Sequence, residues 1–591
     1  MNIIVLAKQV PNTTEIKINK ETGTLIRDGV ESIINPDDLA GIEEALKIKD
    51  KLGGSITVIT MGPKKAESML REIYGMGVDR CVLVSDRVFA GSDTLATSTI
   101  LAEAIKQFEF DLIIAGRQAI DGDTAQVGPQ IAELLEVSQV TYIEEINHIT
   151  ENTITVTKQN EEYSYIIECK LPCLITTLTD ANKPRYQNVT DLWASFDKDI
   201  ISLSNIDLNI PLSIIGLKGS PTRVKKTFTK PITKKTPKQE LNAQDAAKVI
   251  IDALNPHMWG TQMNNDIYVY IEHENNQIKD VSLELLAKAE ILKESRKDFE
   301  IKVTAILIGK SIKNLANECI YFGADRVITY QNEILETYNT ANYAKVVSEI
   351  IKTYQPEAFL IGGTTTGRDL APRISAKVKT GLTADATSIE FNPEDTLSKE
   401  LWITRPAFGG NLFATIVCPS HRPQMATIRS NVFDKNIKNM NRLGEIVNFE
   451  YEFVPNNDIT YVKRISKNIK TQDITKARII VSGGRGVSKD LTLLEETATI
   501  LKGEIAVSRA LVDEGLAPKT CQVGQTGKTV RPIIYLACGI SGAVQHTAGM
   551  DKSEMIIAIN SDKNAPIFDI ADISIVGSAQ QILSELNTQL R

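Results

Sequence analysis

The block Tyr74-Gly75-Met76-Gly77-Val78-Asp79-Arg80-Cys81-Val82 returns about 245 residues later as Tyr321-Phe322-Gly323-Ala324-Asp325-Arg326-Val327-Ile328. Each copy continues through a predicted helix into an apolar run. That run is Phe110-Asp111-Leu112-Ile113-Ile114-Ala115-Gly116 in the first copy and Pro356-Glu357-Ala358-Phe359-Leu360-Ile361-Gly362-Gly363 in the second. A Gly/Thr/Asp-rich loop, a proline (Pro129 or Pro372) and another helix follow in both. Matched blocks in one order at one separation mark an internal duplication. The chain is therefore expected to hold two homologous domains, residues 1–221 and 266–450, able to pack as a pseudo-symmetric pair.

The pattern inside each copy sets the fold class. Residues 3–7, 55–60, 80–84 and 111–115 are short, continuous apolar runs. Residues 37–51, 64–74 and 94–108 carry apolar positions at helical spacing, such as Ala96, Ile100, Leu101, Ala104 and Ile105. Strands without polar alternation, separated by amphipathic helices, predict a parallel sheet covered on both faces, an α/β fold. A third unit, 475–591, is again α/β. It has a strand at 477–481, a Gly-rich turn, a helix across 490–501, and strands at 533–537, 555–559 and 573–576. It lacks the Gly-Ala-Asp-Arg element. Residues 222–265 and 451–474 read as connecting segments. Within the first, residues 222–240 hold seven basic side chains against one acidic, which suits a solvated linker or an extended arm lying on another domain. A short helix pattern spans 243–254.

Composition narrows the function. A hydrophobic content of 42% with 24% charged residues is that of a globular chain,. With 66 basic against 74 acidic residues the net charge is −8, which argues against bulk nucleic-acid binding. The cysteines form no CxxC pair. They read as buried free thiols of a reducing compartment, and the closely spaced thiolates of an iron–sulfur site are missing. The apolar run at the start ends at Lys8-Gln9, too soon for a signal sequence. No run approaches the roughly 20 apolar residues that span a bilayer. A cytoplasmic protein without an integral membrane segment is expected.

The chemistry concentrates in the last 120 or so residues. Ser482-Gly483-Gly484-Arg485-Gly486-Val487 leaves a strand and enters a helix, where glycines let backbone N–H groups approach an anion. It has neither the G-x-G-x-x-G spacing of a Rossmann fingerprint nor a Walker A lysine, so alone it reads as a tight structural turn before it reads as a ligand site. Its neighbours add weight: Ser508-Arg509, the polar loop Val523-Gly524-Gln525-Thr526-Gly527-Lys528, the turn Cys538-Gly539-Ile540-Ser541-Gly542-Ala543-Val544-Gln545-His546, and Asn560-Ser561-Asp562. Strand ends in such sheets converge on one crevice. Amides and hydroxyls there would hold a pyrophosphate, with Arg485 and His546 facing a ring system.

These motifs, with Ala548-Gly549-Met550 and Ala558-Ile559-Asn560, resemble the FAD domain of the electron-transfer flavoprotein alpha subunit. The resemblance runs upstream through Thr404-Arg405-Pro406-Ala407-Phe408-Gly409-Gly410-Asn411 and Arg422-Pro423-Gln424-Met425-Ala426-Thr427. Residues 1–225 are similar to the beta subunit, from Ala7-Lys8-Gln9-Val10-Pro11 to Gly219-Ser220-Pro221-Thr222. The family usually has two chains; here a beta–alpha fusion is implied, with 222–240 as the beta arm embracing the FAD domain. By motif, the resemblance implies that Arg485, Gly486, Ser508, Gln525, Thr526, Gly539, Ser541, Gln545, His546 and Asn560 contact the C-terminal FAD, Arg485 and His546 nearest its isoalloxazine. It further implies that the repeat domains form a base carrying the C-terminal domain as a mobile head.

A second nucleotide decides the mechanism. The loop Gly116-Arg117-Gln118-Ala119-Ile120-Asp121-Gly122-Asp123-Thr124-Ala125-Gln126-Val127-Gly128-Pro129 leaves a strand and enters a helix. From its residues alone it is either an anion nest or an Asx-rich structural turn. The resemblance points to the bifurcating group, which binds a second FAD here where simpler members keep AMP. Ala7, Met61, Asp121, Gly122, Asp123, Thr124, Gln126 and Val127 would surround its AMP moiety, and its ring would reach Arg405, Phe408 and Gly409. In the second copy, Gly363-Thr364-Thr365-Thr366-Gly367-Arg368-Asp369 lacks the Asp-Gly-Asp core and is expected to be structural. The activity implied is oxidation of NADH, with electrons divided between an acyl-CoA dehydrogenase-like partner and ferredoxin or flavodoxin. It requires no acid–base or nucleophilic side chain and no metal. A non-bifurcating carrier with one FAD and one AMP is the alternative. A nucleotide sensor or scaffold would bind without flavin reduction. A nucleotide hydrolase lacks both a P-loop and a G-x-S-x-G elbow where a site would need one.

Overall fold

The computed structural model describes residues 1–11, 17–18, 25–26, 32–161, 163–228, 265–296, 299–395, 398–407, 412–452, 454–466, 474–488, 491–524 and 527–590. The helix expected across 243–254 lies outside them, as do Gln525, Thr526 and Phe408–Asn411. The chain forms two compact units, one within residues 1–467 and one from 468–591 joined by Ser430–Val432.

In the first unit the duplication appears as two parallel sheets with one strand order. The first runs Ile200–Leu203, Arg80–Val84, Ser55–Met61, Asn2–Leu6, Leu112–Gly116, Cys173–Thr177, Ser138–Ile149. The second runs Glu445–Asn448, Arg326–Gln331, Val303–Gly309, Ile267–Tyr270, Ala358–Gly362, Gln424–Ile428, Leu382–Ala386. Position for position, each strand of one sheet has its counterpart in the other.

Both faces of each sheet are buried, and the period-2 geometry of a strand divides the apolar residues between them. Ile3, Val5, Ile56 and Val58 join the core under helix Pro36–Leu52, while Ile4, Leu6 and Ile59 join the opposite core with Ile100 and Ile105 of helix Thr94–Ile105. The second sheet repeats this with Ile267 and Val269 on one face and Tyr268 and Tyr270 on the other. Helix Pro36–Leu52 starts with proline in its first turn and aspartates next to it, and lysines close its last turn, an arrangement that suits the helix dipole. The expected helix at 64–74 opens as a 3₁₀ turn, Lys64–Ala66, before its α-helical part Glu67–Tyr74.

Two features go beyond the sequence reading. The first sheet continues as antiparallel strands Thr153–Gln159, Tyr163–Lys170 and Ile459–Ser466. Residues 451–474, read as a connector, thus carry an edge strand whose partner lies far away in sequence. A separate antiparallel sheet holds Ser388–Phe391, Leu401–Ala407 and Leu412–Val417, and the basic stretch enters it as edge strand Arg223–Phe228.

The repeats meet through equivalent helices, Val127–Leu134 and Thr365–Val378. Glu133 bridges Arg373 and Lys377, each at 2.7 Å. Asp369, fully buried, accepts from Gln139 at 2.8 Å, Thr141 at 2.6 Å and Tyr338 at 2.9 Å, and faces Lys158 at 3.4 Å. Burial alone would raise its carboxyl, but Lys158 and these donors hold it below the ordinary range,.

The second unit is one parallel sheet ordered Glu504–Val507, Ile479–Gly483, Ile534–Cys538, Met555–Asn560, Ile573–Val576. Helices Thr492–Ile500 and Ala579–Leu590 cover one face.

Candidate cofactor sites

In an open α/β sheet, ligands settle beyond the strand C-termini, where the order changes direction. In the first repeat that point lies between Asn2–Leu6 and Leu112–Gly116, and a cavity of about 500 Å³ opens there, a volume typical of small-molecule sites. Its wall takes Leu6, Ala7 and Lys8 from one strand end and Ala115, Gly116 and Arg117 from the other. Leu382, Thr383, Ala384, Arg405 and Ile416 of the second repeat close it.

Of the residues expected here, Ala7, Met61, Gly122, Thr124, Gln126, Val127 and Arg405 line this one cavity. Asp121 and Asp123 are outside its lining. Asp121 pairs with Lys8 at 2.8 Å, and Asp123 accepts from Gln118 at 3.0 Å. The Gln126 amide is taken up by the protein: it donates to the Leu382 carbonyl at 3.0 Å and accepts from Thr94. Asp123 and Ala125 have φ of +50° and +53°. For Ala125 this costs about 1–2 kcal/mol, so packing must impose the loop's shape.

Several groups here fit a nucleotide. Gly116 accepts no side chain, since a Cβ would lie 2.1 Å from Asp38 Oδ1 and 2.8 Å from the Asp38 nitrogen. At Gly122 a Cβ would meet no protein atom within 4 Å, so this wall residue faces open space. Arg405 is buried, donates through Nη2 to the Asp123 carbonyl at 3.1 Å, and keeps a buried Nε with no partner among the described residues. A buried donor without an acceptor costs about 1–3 kcal/mol or more, which a ligand oxygen would relieve. Burial lowers the Arg405 pKa, against the raising effects of Asp385 and Asp123. Asp385 would be raised by its own burial, yet Arg368 and Arg429 hold it at about 2. Asp38, missed in the sequence, sits on the wall, accepts from the backbone of Lys8 at 2.8 Å and Gly116 at 3.1 Å, and is pushed by burial to about 7. Asp93, Thr94 and Thr222 were also missed. Asp93 was legible only as the cap of a predicted helix.

In the second unit the order changes between Ile479–Gly483 and Ile534–Cys538. There the loops at 484–487 and 539–543 touch backbone to backbone: Gly484 N–H donates to the Cys538 carbonyl at 2.9 Å and Gly486 N–H to Gly539 at 3.1 Å. A Cβ at Gly484 would lie 2.4 Å from the Gly539 oxygen, and Gly539 has φ of +62°. These glycines are fixed by close approach of the two strand ends. Arg485, Gly486, Ser541 and Gln545 are exposed along that edge, and Ser508 and Asn560 are partly buried. Asn560 donates to the Ile540 carbonyl at 2.8 Å. His546 lies beneath: it is buried, its Nε2 is 3.0 Å from the Tyr535 hydroxyl, and burial lowers its pKa to about 4. The imidazole is therefore neutral at pH 7, leaving Arg485 as the cationic group among the described residues expected nearest the ring. Among the described residues no cluster of His, Cys, Asp or Glu could hold a metal ion, and no helix is long and apolar enough to cross a membrane.

Comparison with known proteins accords with this geometry. The electron transfer flavoprotein domain matches residues 22–200 and again 267–453, and the electron transfer flavoprotein FAD-binding domain matches 473–551. Electron transfer flavoprotein subunit alpha of Clostridium acetobutylicum is 44% identical over 330 residues, covering 55% of this chain and 96% of that protein. Subunit beta of the same organism is 46% identical over 254 residues, covering 43% of this chain and 98% of that protein. The acryloyl-CoA reductase electron transfer subunit beta of Anaerotignum propionicum is 40% identical over 351 residues, covering 54% of this chain and 93% of that protein.

Proposed function

We infer the activity from one premise: this chain belongs to the electron transfer flavoprotein family and joins beta-type and alpha-type subunits in a single polypeptide. It is an electron carrier whose C-terminal unit binds FAD. Beyond this, the reading is that a second FAD occupies the cavity between the repeats. NADH then supplies two electrons that part ways, one to an acyl-CoA dehydrogenase-type flavoenzyme and one to ferredoxin or flavodoxin. Flavins accept hydride and release single electrons, so the protein contributes binding, orientation and electrostatics.

One observation carries the second nucleotide: a cavity at the strand-order switch with a buried guanidinium nitrogen on its wall, Arg405 Nε, that has no partner among the described residues. The lining draws on both repeats, Ala7 and Met61 of the first and Arg405 and Ile416 of the second. Arg405 would place positive charge beside the ligand, the loop after Asp123 would give backbone amides, and the apolar Leu6, Ile59 and Leu101 would exclude water. The relative named for an acryloyl-CoA reductase supports a dehydrogenase-type partner.

Acid release and chromatography of the nucleotides in purified protein test this reading. About two FAD per chain and flavin reduction by NADH are expected. One FAD and one AMP per chain would leave an electron carrier and reject bifurcation.

A further inference from the structure

The Gly219-Ser220-Pro221-Thr222 motif has so far only marked the end of the beta-like part, yet Thr222 lines the cavity. The chain here leaves the first repeat, passes the cavity and joins the second repeat: Arg223 and Val224 pair with Val417 and Ile416 of the hairpin sheet. Besides that pairing, the crossing is fastened at Asp93. Asp93 Oδ2 accepts from the Thr222 amide at 2.8 Å and from the Thr222 hydroxyl at 2.6 Å, while the Asp93 amide donates to Ser220 Oγ at 2.8 Å. The other oxygen, Oδ1, caps helix Thr94–Ile105 by accepting from Ala96 at 3.0 Å. Ser92 and Asp93 are themselves wall residues. On the far side the fit is tight, since a Cβ at Gly381 would lie 2.2 Å from Thr222 Cγ2.

We propose that residues 219–224 are a strap across the cavity, latched by the Asp93 carboxylate, that governs escape of the bound nucleotide. The proposal rests on the reading that the cavity holds a nucleotide. Its physical basis is a division of labour in one side chain. Oδ1 stabilises the helix and Oδ2 holds the strap, so the second role can be removed while the first is kept. Asparagine caps helices as well as aspartate does, but its Nδ2 cannot accept from Thr222. Asp93→Asn therefore spares the cap and loosens the latch, because the Thr222 amide loses its acceptor. Thr222→Val keeps the branched shape and removes only the hydroxyl donor. Asp93 is a positioning residue, and release rate is the quantity that separates latch from scaffold.

The test uses the full chain as purified, incubated with excess isotopically labelled FAD and AMP, with appearance of unlabelled nucleotide followed over time. Hydrogen bonds to a charged group contribute about 1.5–3 kcal/mol, so losing them speeds release roughly tenfold or more. Both variants should show this for one nucleotide per chain, with melting temperature lowered by no more than a few degrees and the remaining FAD unchanged. Exchange at the wild-type rate in both variants overturns the strap, as does equal acceleration of both nucleotides. Wild-type protein that releases one FAD and no other nucleotide fails at the earlier step, before any variant is compared.

Discussion

Gly116→Ala is the sharpest test of the first-repeat site, because the structure says where the added carbon goes. It would lie 2.1 Å from Asp38 Oδ1, 2.8 Å from the Asp38 nitrogen and 2.9 Å from the Asp37 carbonyl carbon. The side chain alone cannot move away, since two of these contacts are backbone in the first turn of helix Pro36–Leu52. Asp38 is also held by the Lys8 and Gly116 amides. Overpacking of this kind costs about 1–3 kcal/mol. That is small beside a domain stability of roughly 5–15 kcal/mol, so the variant should fold. The displacement falls on the cavity wall. If it is felt in binding, 1.4 kcal/mol per decade makes it a loss of roughly five- to 150-fold in nucleotide affinity. The assay is nucleotide content after extensive dialysis, with melting temperature alongside. The cavity nucleotide should be depleted while the C-terminal FAD remains. Gly122→Ala is the control, since its Cβ meets no protein atom and its melting temperature should match wild type. A Gly116→Ala protein retaining its full nucleotide content would show that this wall does not hold the ligand.

Two further outcomes follow from charge. Arg485→Ala removes an exposed cation at the second unit's strand ends, and the potential of the C-terminal flavin should fall. A contact of about 1 kcal/mol corresponds to roughly 40 mV for a one-electron couple, and a redox titration with no shift would remove Arg485 from that role. Asp385, held at about 2 in the folded protein against an ordinary 3.8, contributes about 2 kcal/mol of stability. Because the folded value is the lower one, this is fully present above pH 4 and lost as pH falls toward 2. Asp385→Asn tolerates the residue's φ of +57°,, but leaves Arg368 and Arg429 without their carboxylate. Urea titrations should show a variant weaker than wild type at pH 7 by about 3–5 kcal/mol, with a shallower loss between pH 4 and 2. Parallel acid limbs would refute the assignment.

The duplication was legible because it is written in local words. A glycine turn before a strand and an apolar run after a helix are short-range signals, and they recur. The C-terminal edge was legible for the same reason: Gly484, Gly486 and Gly539 must be glycine for the two loops to touch. What escaped depends on partners distant in sequence. Ile459–Ser466 pairs with Tyr163–Lys170, and nothing within 451–474 declares that neighbour. The far wall of the cavity, Leu382 to Ala384 and Ile416, consists of residues with almost no reactive chemistry of their own. They matter only because the repeats bring them opposite Gly116 and Gly122. Asp38 and Asp93 could be read as helix-start residues, and the fold turned both toward the cavity.

The remaining question is why two repeats with one strand order treat the same loop differently. In the first repeat the helix after the loop, Val127–Leu134, begins at the cavity wall, where Gln126, Val127 and Gly128 line open volume. In the second, helix Thr365–Val378 begins against protein. The Thr365 N–H donates to Glu161 Oε1 at 2.6 Å, and Thr364, its cap, donates its hydroxyl to Glu272 at 2.6 Å. Glu161 comes from the hairpin between Thr153–Gln159 and Tyr163–Lys170 of the first repeat. Arg368 is turned back onto the Gly363 carbonyl and Asp385, and Asp369 is consumed by the buried network with Lys158. A helix N-terminus attracts anions through its free amides and its dipole. Here a carboxylate of the chain already satisfies one of those amides, and a second carboxyl, Glu272, pushed by burial to about 7, stands beside it. A phosphate at that position would meet the Glu161 carboxylate already seated there,. Duplication supplied two equivalent loops, and the contact between the repeats committed the second of them to holding the protein together.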